Sequence, residues 1–188
     1  MIPGDGYELR ALEPSDAAAW KAGEDPEQMR WFEAPGPSPM ENVIAAIHRW
    51  QAGWDDDGPV WQWGIWVEGQ LAGGVELSAR KDGTANASYV VFPHARGRGL
   101  AAGALRLATR WGLTHLCVPA VVAVIDEQNE ASRRVAVRAG FTPDGPAEPW
   151  ECSGTGAMLR YVARRPETVG GPASPVGDDR SCSRPGER

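Results

Sequence analysis

Two neighbouring segments of the chain alternate apolar side chains with polar or small ones at the period of two that β-strands show. They cover Val60–Val67 and Leu71–Ser78, and the short connection between them, Glu68–Gln70, predicts a tight hairpin. A third strand is predicted over Ala85–Phe92 and ends at Pro93, whose nitrogen cannot donate a hydrogen bond to a sheet. A chain with three consecutive strands at its centre has to build a sheet and bury at least one of its faces.

Helical periodicity lies on both sides of these strands. The predicted helices begin at Pro14, span Pro39–Trp50, run from Gly99 to about Trp111, and run from the N-cap Asn129 to Ala139. Further strands are predicted at residues 7–12, 121–125, near 141 and at 157–163. The resulting order, β-α-α-β-β-β-α-β-α-β-β, predicts an α/β domain with about seven strands and four helices.

The periodicity stops near residue 165. Residues 166–188 contain four prolines and four glycines without an apolar pattern, which predicts a disordered tail. The 188-residue chain is therefore expected to hold one domain, residues 1–165, followed by that tail of residues 166–188.

Cysteine content, the length of apolar runs and net charge limit the cellular compartment and the kinds of partner that are expected for this chain. The three cysteines are an odd number without a C-x-x-C pair, which predicts neither a disulfide framework nor a cysteine zinc site. No signal-peptide pattern opens the chain, and the longest apolar stretch, residues 118–125, is too short to span a membrane. Residues 1–57 carry a net charge of −8 within a chain total of −6, which argues against a nucleic-acid partner. We expect a cytoplasmic protein with no metal and no membrane partner; an exposed strand edge and a tryptophan patch would permit a homodimer.

The segment Arg96–Ala101, Arg-Gly-Arg-Gly-Leu-Ala, lies between a predicted strand and a predicted helix. Gly97 and Gly99 allow the backbone to approach a ligand closely, and the free amides of a first helical turn attract an anion, above all phosphate. The segment therefore predicts a phosphate cradle. An ordinary turn with solvent-facing arginines explains the same six residues equally well.

Two other phosphate motifs were compared with this segment. The P-loop pattern G-x-x-x-x-G-K-[ST] does not occur. The dinucleotide pattern G-x-G-x-x-G/A is met by Gly97, Gly99 and Ala102, with Asp126 after the next strand. Against it, several residues separate the strand from Gly97, and two helical crossovers are too few for a dinucleotide-binding sheet, so an oxidoreductase of the Rossmann type ranks third.

Arg96, Gly99 and Ala101 meet the pattern Q/R-x-x-G-x-G/A, and Asn129 and Ser132 open a helix that ends in Gly140-Phe141. Both motifs resemble those of the GNAT family of N-acetyltransferases, which transfer an acetyl group from acetyl-coenzyme A to an amine. The resemblance covers about residues 7–165. The second segment is similar to the branch that acetylates protein N-termini and small amines. The resemblance implies a mixed, mostly antiparallel sheet whose central parallel pair splays apart.

The resemblance also implies which residues bind acetyl-coenzyme A, the expected cosubstrate. The pantetheine arm would lie along Val90, Val91 and Phe92, and the amides of the loop would hold the pyrophosphate. Asn129 would bond the pantetheine arm, although a plain helix cap explains it equally well. The expected cofactor-binding residues are Val90, Val91, Phe92, Arg96, Gly97, Arg98, Gly99, Leu100, Ala101, Asn129 and Ser132. Arg133, Arg134 and Arg138, with Arg98, are candidates for the 3′-phosphate, or else solvated surface residues.

Three residues are expected to act in catalysis. The amide of Val91 would stabilise the oxyanion. Glu76, on a central strand, is the first candidate for the base that takes the amine's proton, with His48 and His94 behind it. The alternative without a catalytic role is an outward-facing charge or an ion pair with an arginine such as Arg80. Many relatives use a helical tyrosine to protonate the leaving thiolate. Ala136 stands at that position here, so Ser132 is the candidate donor, and a first-turn helix residue without a catalytic role explains Ser132 equally well. Tyr89 is a further candidate donor, although packing in the sheet is the commoner role of an aromatic residue there.

Tryptophan is concentrated between residues 31 and 66. Core packing is the expected role of Trp61 and Trp63. In the family the first two helices cover the acceptor site, so an acidic, tryptophan-rich N-terminal part would suit a cationic or aromatic amine. The expected function is direct transfer of acetyl to a primary amine, either a small molecule or a protein N-terminus. The alternative is a coenzyme A-binding regulatory module without catalysis.

Overall fold

In the computed structural model, which describes residues 1–152 and 156–165, strands and helices form one mixed α/β unit around a single sheet. The strands are β1 (Ile2–Pro3), β2 (Glu8–Ala11), β3 (Val60–Val67), β4 (Gln70–Ala79), β5 (Ala85–Val91), β6 (Ala120–Asp126), β7 (Thr142–Pro146) and β8 (Met158–Arg164). The α-helices are α1 (Ala17–Ala22), α2 (Pro26–Trp31), α3 (Met40–Asp55), α4 (Leu100–His115) and α5 (Glu130–Ala139). The sheet order is β1-β2-β3-β4-β5-β6-β8-β7. The predicted fold class is confirmed, with eight strands instead of about seven.

The sequence prediction missed the two short elements β1 and α2. Strand β1 has two residues and α2 has six, so neither is long enough to show a period. The start of α2 nevertheless carries a local signal: Asp25 is its N-cap, accepting a hydrogen bond from the Gln28 amide at 3.0 Å, and Pro26 follows it. The predicted tail, residues 166–188, lies outside the described residues.

The sheet opens between its two parallel strands, β5 and β6. Strand β5 pairs with β4 from Ala85 to Val91, but with β6 only at Ala85–Val121 and Asn86–Val122. Beyond these two residue pairs the strands diverge and leave a gap. The other strand pairs are antiparallel, which contradicts the Rossmann alternative, because a dinucleotide-binding fold needs a mostly parallel sheet.

Helices cover both faces of the sheet. On one face α4 packs on a core that includes Trp61 and Trp63, and the rings of both lie within 6 Å of Trp111 on α4. Trp61 and Trp63 are 5% and 2% exposed, which confirms their expected role in packing. On the other face α1 and α3 pack over a second core that includes Trp20 and Phe92. The gap between β5 and β6 therefore lies in a sheet that has helices on both of its faces.

Cys152 carries a free thiol. Within the described ranges, every helix is too short or too polar to cross a bilayer.

Candidate functional site

A cavity of about 750 Å³ occupies the gap between β5 and β6. Its walls are the diverging strands, the loop before α4, and the first turns of α4 and α5. We call this space the first cavity. Strand β6 pairs with β5 only as far as Asn86 and Val122, so the space between the two strands lies beyond these residues.

The loop before α4 has the geometry of an anion cradle. Gly97 and Gly99 line the first cavity, both at φ +78°, and an added Cβ would meet nothing within 4 Å at either position. The first intrahelical bond of α4 runs from the Gly103 amide to the Gly99 carbonyl, at 3.2 Å. The amides of residues 100–102 come before Gly103 in the chain and have no acceptor within the helix. They are therefore available to an anion at the positive end of the helix dipole.

The two arginines of the loop lie in different surroundings, and Arg96 is among the residues that line the first cavity. The Arg96 guanidinium forms two 2.8 Å bonds to Asp25 and one to Glu27, and its Nε donates to the Val91 carbonyl at 3.0 Å. This pairing ties α2 to the loop, and the guanidinium beside Asp25 lowers the pKa of that carboxyl. Arg98 is exposed and is not among the described residues that line the first cavity.

The end of β5 directs one backbone amide into the gap. The Phe92 amide donates to the Ala72 carbonyl on β4 at 2.9 Å. Backbone groups alternate in direction along an antiparallel strand, so the amide of Val91 points away from β4, toward the gap. Val90 and Val91 line the first cavity, whereas the Phe92 side chain is fully buried in the core with Trp20.

Ser132 and Tyr89 meet beside the first cavity. The Tyr89 hydroxyl lies 2.7 Å from Ser132 Oγ and 3.0 Å from the Ser132 carbonyl. Burial is the main reason why the pKa of Tyr89 is raised to about 12, so the phenol remains protonated at neutral pH. Asn129 Oδ1 accepts the Ser132 amide at 3.0 Å, which makes Asn129 a helix cap while it also lines the cavity.

The remaining positions of α5 divide between cavity, core and neighbouring loop. Arg134 and Arg138 line the first cavity. Arg133 instead donates to the Tyr161 hydroxyl at 3.1 Å and to the Glu127 carbonyl at 3.0 Å. Ala136 is completely buried in the core, so this position presents no side chain to the cavity.

A second cavity of about 290 Å³ contains the Glu76 side chain. Gln62, Glu76 and Ser88 are cross-strand neighbours on β3, β4 and β5 and form a polar row along its floor. Burial raises the pKa of Glu76, and a hydrogen bond from the Trp50 side chain partly offsets this effect. Among the described residues Arg80 pairs with Asp82 and Glu151, and no ion pair of Glu76 is present, so the ion-pair alternative for Glu76 is wrong.

The two cavities share one wall. The residues that line both are Gln28, Phe32, Ser88, Tyr89 and Val90. Sequence analysis missed Gln28 and Phe32 because α2 was missed; the Asp25-Pro26 start of that helix is the signal that could have found them. Neither His48 nor His94 lines either cavity, and the described ranges contain no cluster of three or more His, Cys, Asp or Glu suited to a metal.

Comparison with known proteins agrees with this geometry. Residues 7–142 match the family model described as an acetyltransferase (GNAT) domain. No curated protein matches the chain in sequence.

Several solved structures are similar in fold. One is an acetyltransferase from Salmonella typhimurium that modifies the N-terminal serine of ribosomal protein L7/L12, with 18% identity, coverage of 87% and 98% of the two chains, and a TM-score of 0.74. Another is the microcin C7 self-immunity acetyltransferase MccE with acetyl-CoA and AMP, with 15% identity, coverage of 86% and 93%, and a TM-score of 0.72. A third is an acetyltransferase from Agrobacterium tumefaciens, with 22% identity, coverage of 87% and 94%, and a TM-score of 0.70.

Proposed function

The chain belongs to the GNAT family of acetyltransferases, and we propose that it transfers acetyl from acetyl-CoA to a primary amine that enters the second cavity. The observation that carries the proposal is the shared wall of the two cavities at Tyr89 and Val90. An extended thioester in the first cavity would there meet an amine in the second. Direct attack, without a covalent enzyme intermediate, follows from this arrangement.

The fit of acetyl-CoA rests on the shape and polarity of the first cavity. The amides of residues 100–102 suit its pyrophosphate, and the open space beside Gly97 and Gly99 lets the backbone come close. Arg134 and Arg138 are placed for an additional phosphate. The gap beside Val90 and Val91 suits the pantetheine arm, whose amides can pair with strand edges.

Glu76 is the proposed base. An amine arrives largely as an ammonium ion, because its pKa lies at about 8 or above, and it attacks only after losing a proton. Glu76 takes this proton, directly or through one water. Its raised pKa makes it a better base than an ordinary glutamate.

The other groups act on the thioester. The Val91 amide donates a hydrogen bond to the thioester oxygen as negative charge develops there. The new C–N bond forms while the C–S bond breaks, and the leaving sulfur needs one proton. Ser132 supplies it from Oγ, with the Tyr89 hydroxyl 2.7 Å away, and the second proton of the nitrogen, released through water as the amide forms, restores the pair.

Removing either hydroxyl of this pair is expected to slow turnover. Ser132→Ala and Tyr89→Phe should each lower kcat by about 10²-fold, the lower end of the range for proton-transfer groups. For Tyr89→Phe the KM for acetyl-CoA should change little, because Tyr89 is not among the residues expected to bind it. Steady-state kinetics of thiol release measure both constants. A Tyr89→Phe enzyme with unchanged kcat would remove Tyr89 from the mechanism.

The proposed function is tested by thiol release from acetyl-CoA against primary amines and peptides with free N-termini. Mass spectrometry should show each accepted amine heavier by one acetyl group. Tight binding of acetyl-CoA without turnover on any amine would instead support the coenzyme A-binding regulatory module.

A further inference from the structure

We propose that the acceptor is a small primary amine with an aromatic or bulky apolar body and no carboxylate beside the amine. This inference rests on the proposed function and concerns the second cavity alone. It is carried by the charge, the walls and the size of that cavity, which are independent of the acetyl-CoA site.

The charge of the second cavity is negative. Its lining contains the carboxylates Glu24 and Glu76, and no lysine, arginine or histidine among the described residues. Two bases close to this lining are already engaged: Lys21 Nζ donates to the Ser38 carbonyl, and Arg10, whose strand neighbour Gly64 pairs with Gly74, forms an ion pair with Asp16 at 3.8 Å. An ammonium is therefore attracted, whereas a carboxylate on the same molecule would face like charges without a partner.

The walls are aromatic and apolar. Trp20 and Trp50 stand together, with ring centroids 5.1 Å apart, and Phe32 and Val43 add further apolar surface. Gly74 leaves room for this wall, because a Cβ there would lie 2.7 Å from the Trp20 ring. Such a surface binds an apolar or aromatic body and also favours a neighbouring cation through the ring faces.

The size of the second cavity sets an upper limit on the acceptor. A volume of about 290 Å³ lies at the small end of the range for small-molecule pockets. The residues after α2 form part of its wall and are fixed there, since the Ser38 amide donates to Glu24 Oε2 at 2.9 Å and Lys21 Nζ donates to the Ser38 carbonyl. The Arg96 bonds to Asp25 hold α2 in the same place. A folded protein surface does not fit this space, but one amine with a single ring does.

The test compares acceptors that differ by one group. 2-Phenylethylamine and phenylalanine differ only in the carboxylate beside the amine, and phenylalaninamide restores a neutral group there. We expect kcat/KM for 2-phenylethylamine to exceed that for phenylalanine by at least about 100-fold, with phenylalaninamide close to the amine, because like-charge placement costs several kcal/mol. Methylamine should be a poorer acceptor than 2-phenylethylamine, because it leaves the aromatic wall unfilled.

A variant of Glu24 measures how much one carboxylate charge in the second cavity contributes to this selectivity. Glu24→Gln should narrow the ratio between 2-phenylethylamine and phenylalanine by about tenfold, because it removes one of the two repelling charges. Glu41→Gln, an exposed change in the first turn of α3 outside both cavities, should leave the ratio unchanged.

The other outcomes are distinct. Equal turnover of phenylalanine and 2-phenylethylamine, or a strong preference for peptide N-termini, would overturn this inference and leave the acetyltransferase intact. Turnover of no amine at all would overturn the proposed function, and this inference with it.

Discussion

Replacing Glu76 with glutamine is expected to lower kcat by about 10²- to 10⁴-fold, the usual range for loss of a general base. Glutamine keeps the volume of the side chain and an oxygen that can accept the hydrogen bond from Trp50, but it cannot take a proton. The KM for acetyl-CoA should stay within a few-fold, since Glu76 lines the second cavity and not the first. Stopped-assay kinetics at saturating amine measure the loss. A kcat within threefold of the original would exclude Glu76 as the base.

The pH dependence of kcat gives a second test of Glu76 as the base. Burial raises the pKa of Glu76 above its ordinary value of 4.5. The base form appears only as the pH rises through this raised pKa, so kcat should fall on the acid side at a pH above that of an exposed glutamate. In Glu76→Gln this acid limb should disappear.

The thermal stability of Glu76→Gln distinguishes the loss of a catalytic base from damage to the fold. A carboxyl whose pKa is raised on folding favours the folded state most when it is protonated, and that contribution is lost as the pH rises through the raised pKa. Above this raised pKa the ionised Glu76 therefore opposes folding. We expect Glu76→Gln to keep or raise Tm while it loses turnover, and a markedly lower Tm would show that the kinetic loss has a structural cause.

The second large effect is expected at the phosphate cradle. Gly99 has φ +78°, so Gly99→Ala should cost about 1–2 kcal/mol of folding free energy through left-handed strain. Its new methyl group would also stand at the wall of the first cavity, where a pyrophosphate has to approach the amides closely. We expect the Kd for acetyl-CoA to rise by about tenfold or more, which corresponds to about 1.4 kcal/mol. Isothermal titration calorimetry measures this change.

A second glycine with a similar backbone angle provides a control for the backbone strain in Gly99→Ala. Gly83, in the turn between β4 and β5, has φ +80° and open space around an added Cβ, and it does not line either cavity. Gly83→Ala should lower Tm about as much as Gly99→Ala and leave acetyl-CoA affinity unchanged. Equal affinity in the two variants would place the pyrophosphate elsewhere.

The extent to which the site could be predicted differs between its halves. The acetyl-CoA half depends on short segments: the Gly97–Gly99 turn, the start of α4, and the cap Asn129 with Ser132. Each is a local backbone requirement that is visible in a few consecutive residues. The acceptor half is built from single side chains on α1, α2, α3 and three strands, and no local pattern indicates that they meet.

The amino-acid sequence by itself determined the central strand hairpin, the glycine turn before α4 and the membership suggested by the two motifs. These features depend on side-chain period and on backbone angles that neighbouring residues impose. Only the tertiary structure decided the divergence of β5 from β6, the contact of Tyr89 with Ser132 across 43 positions, and the pairing of Arg96 with α2. Contacts of this kind depend on how the elements pack together, so they form only in the folded chain.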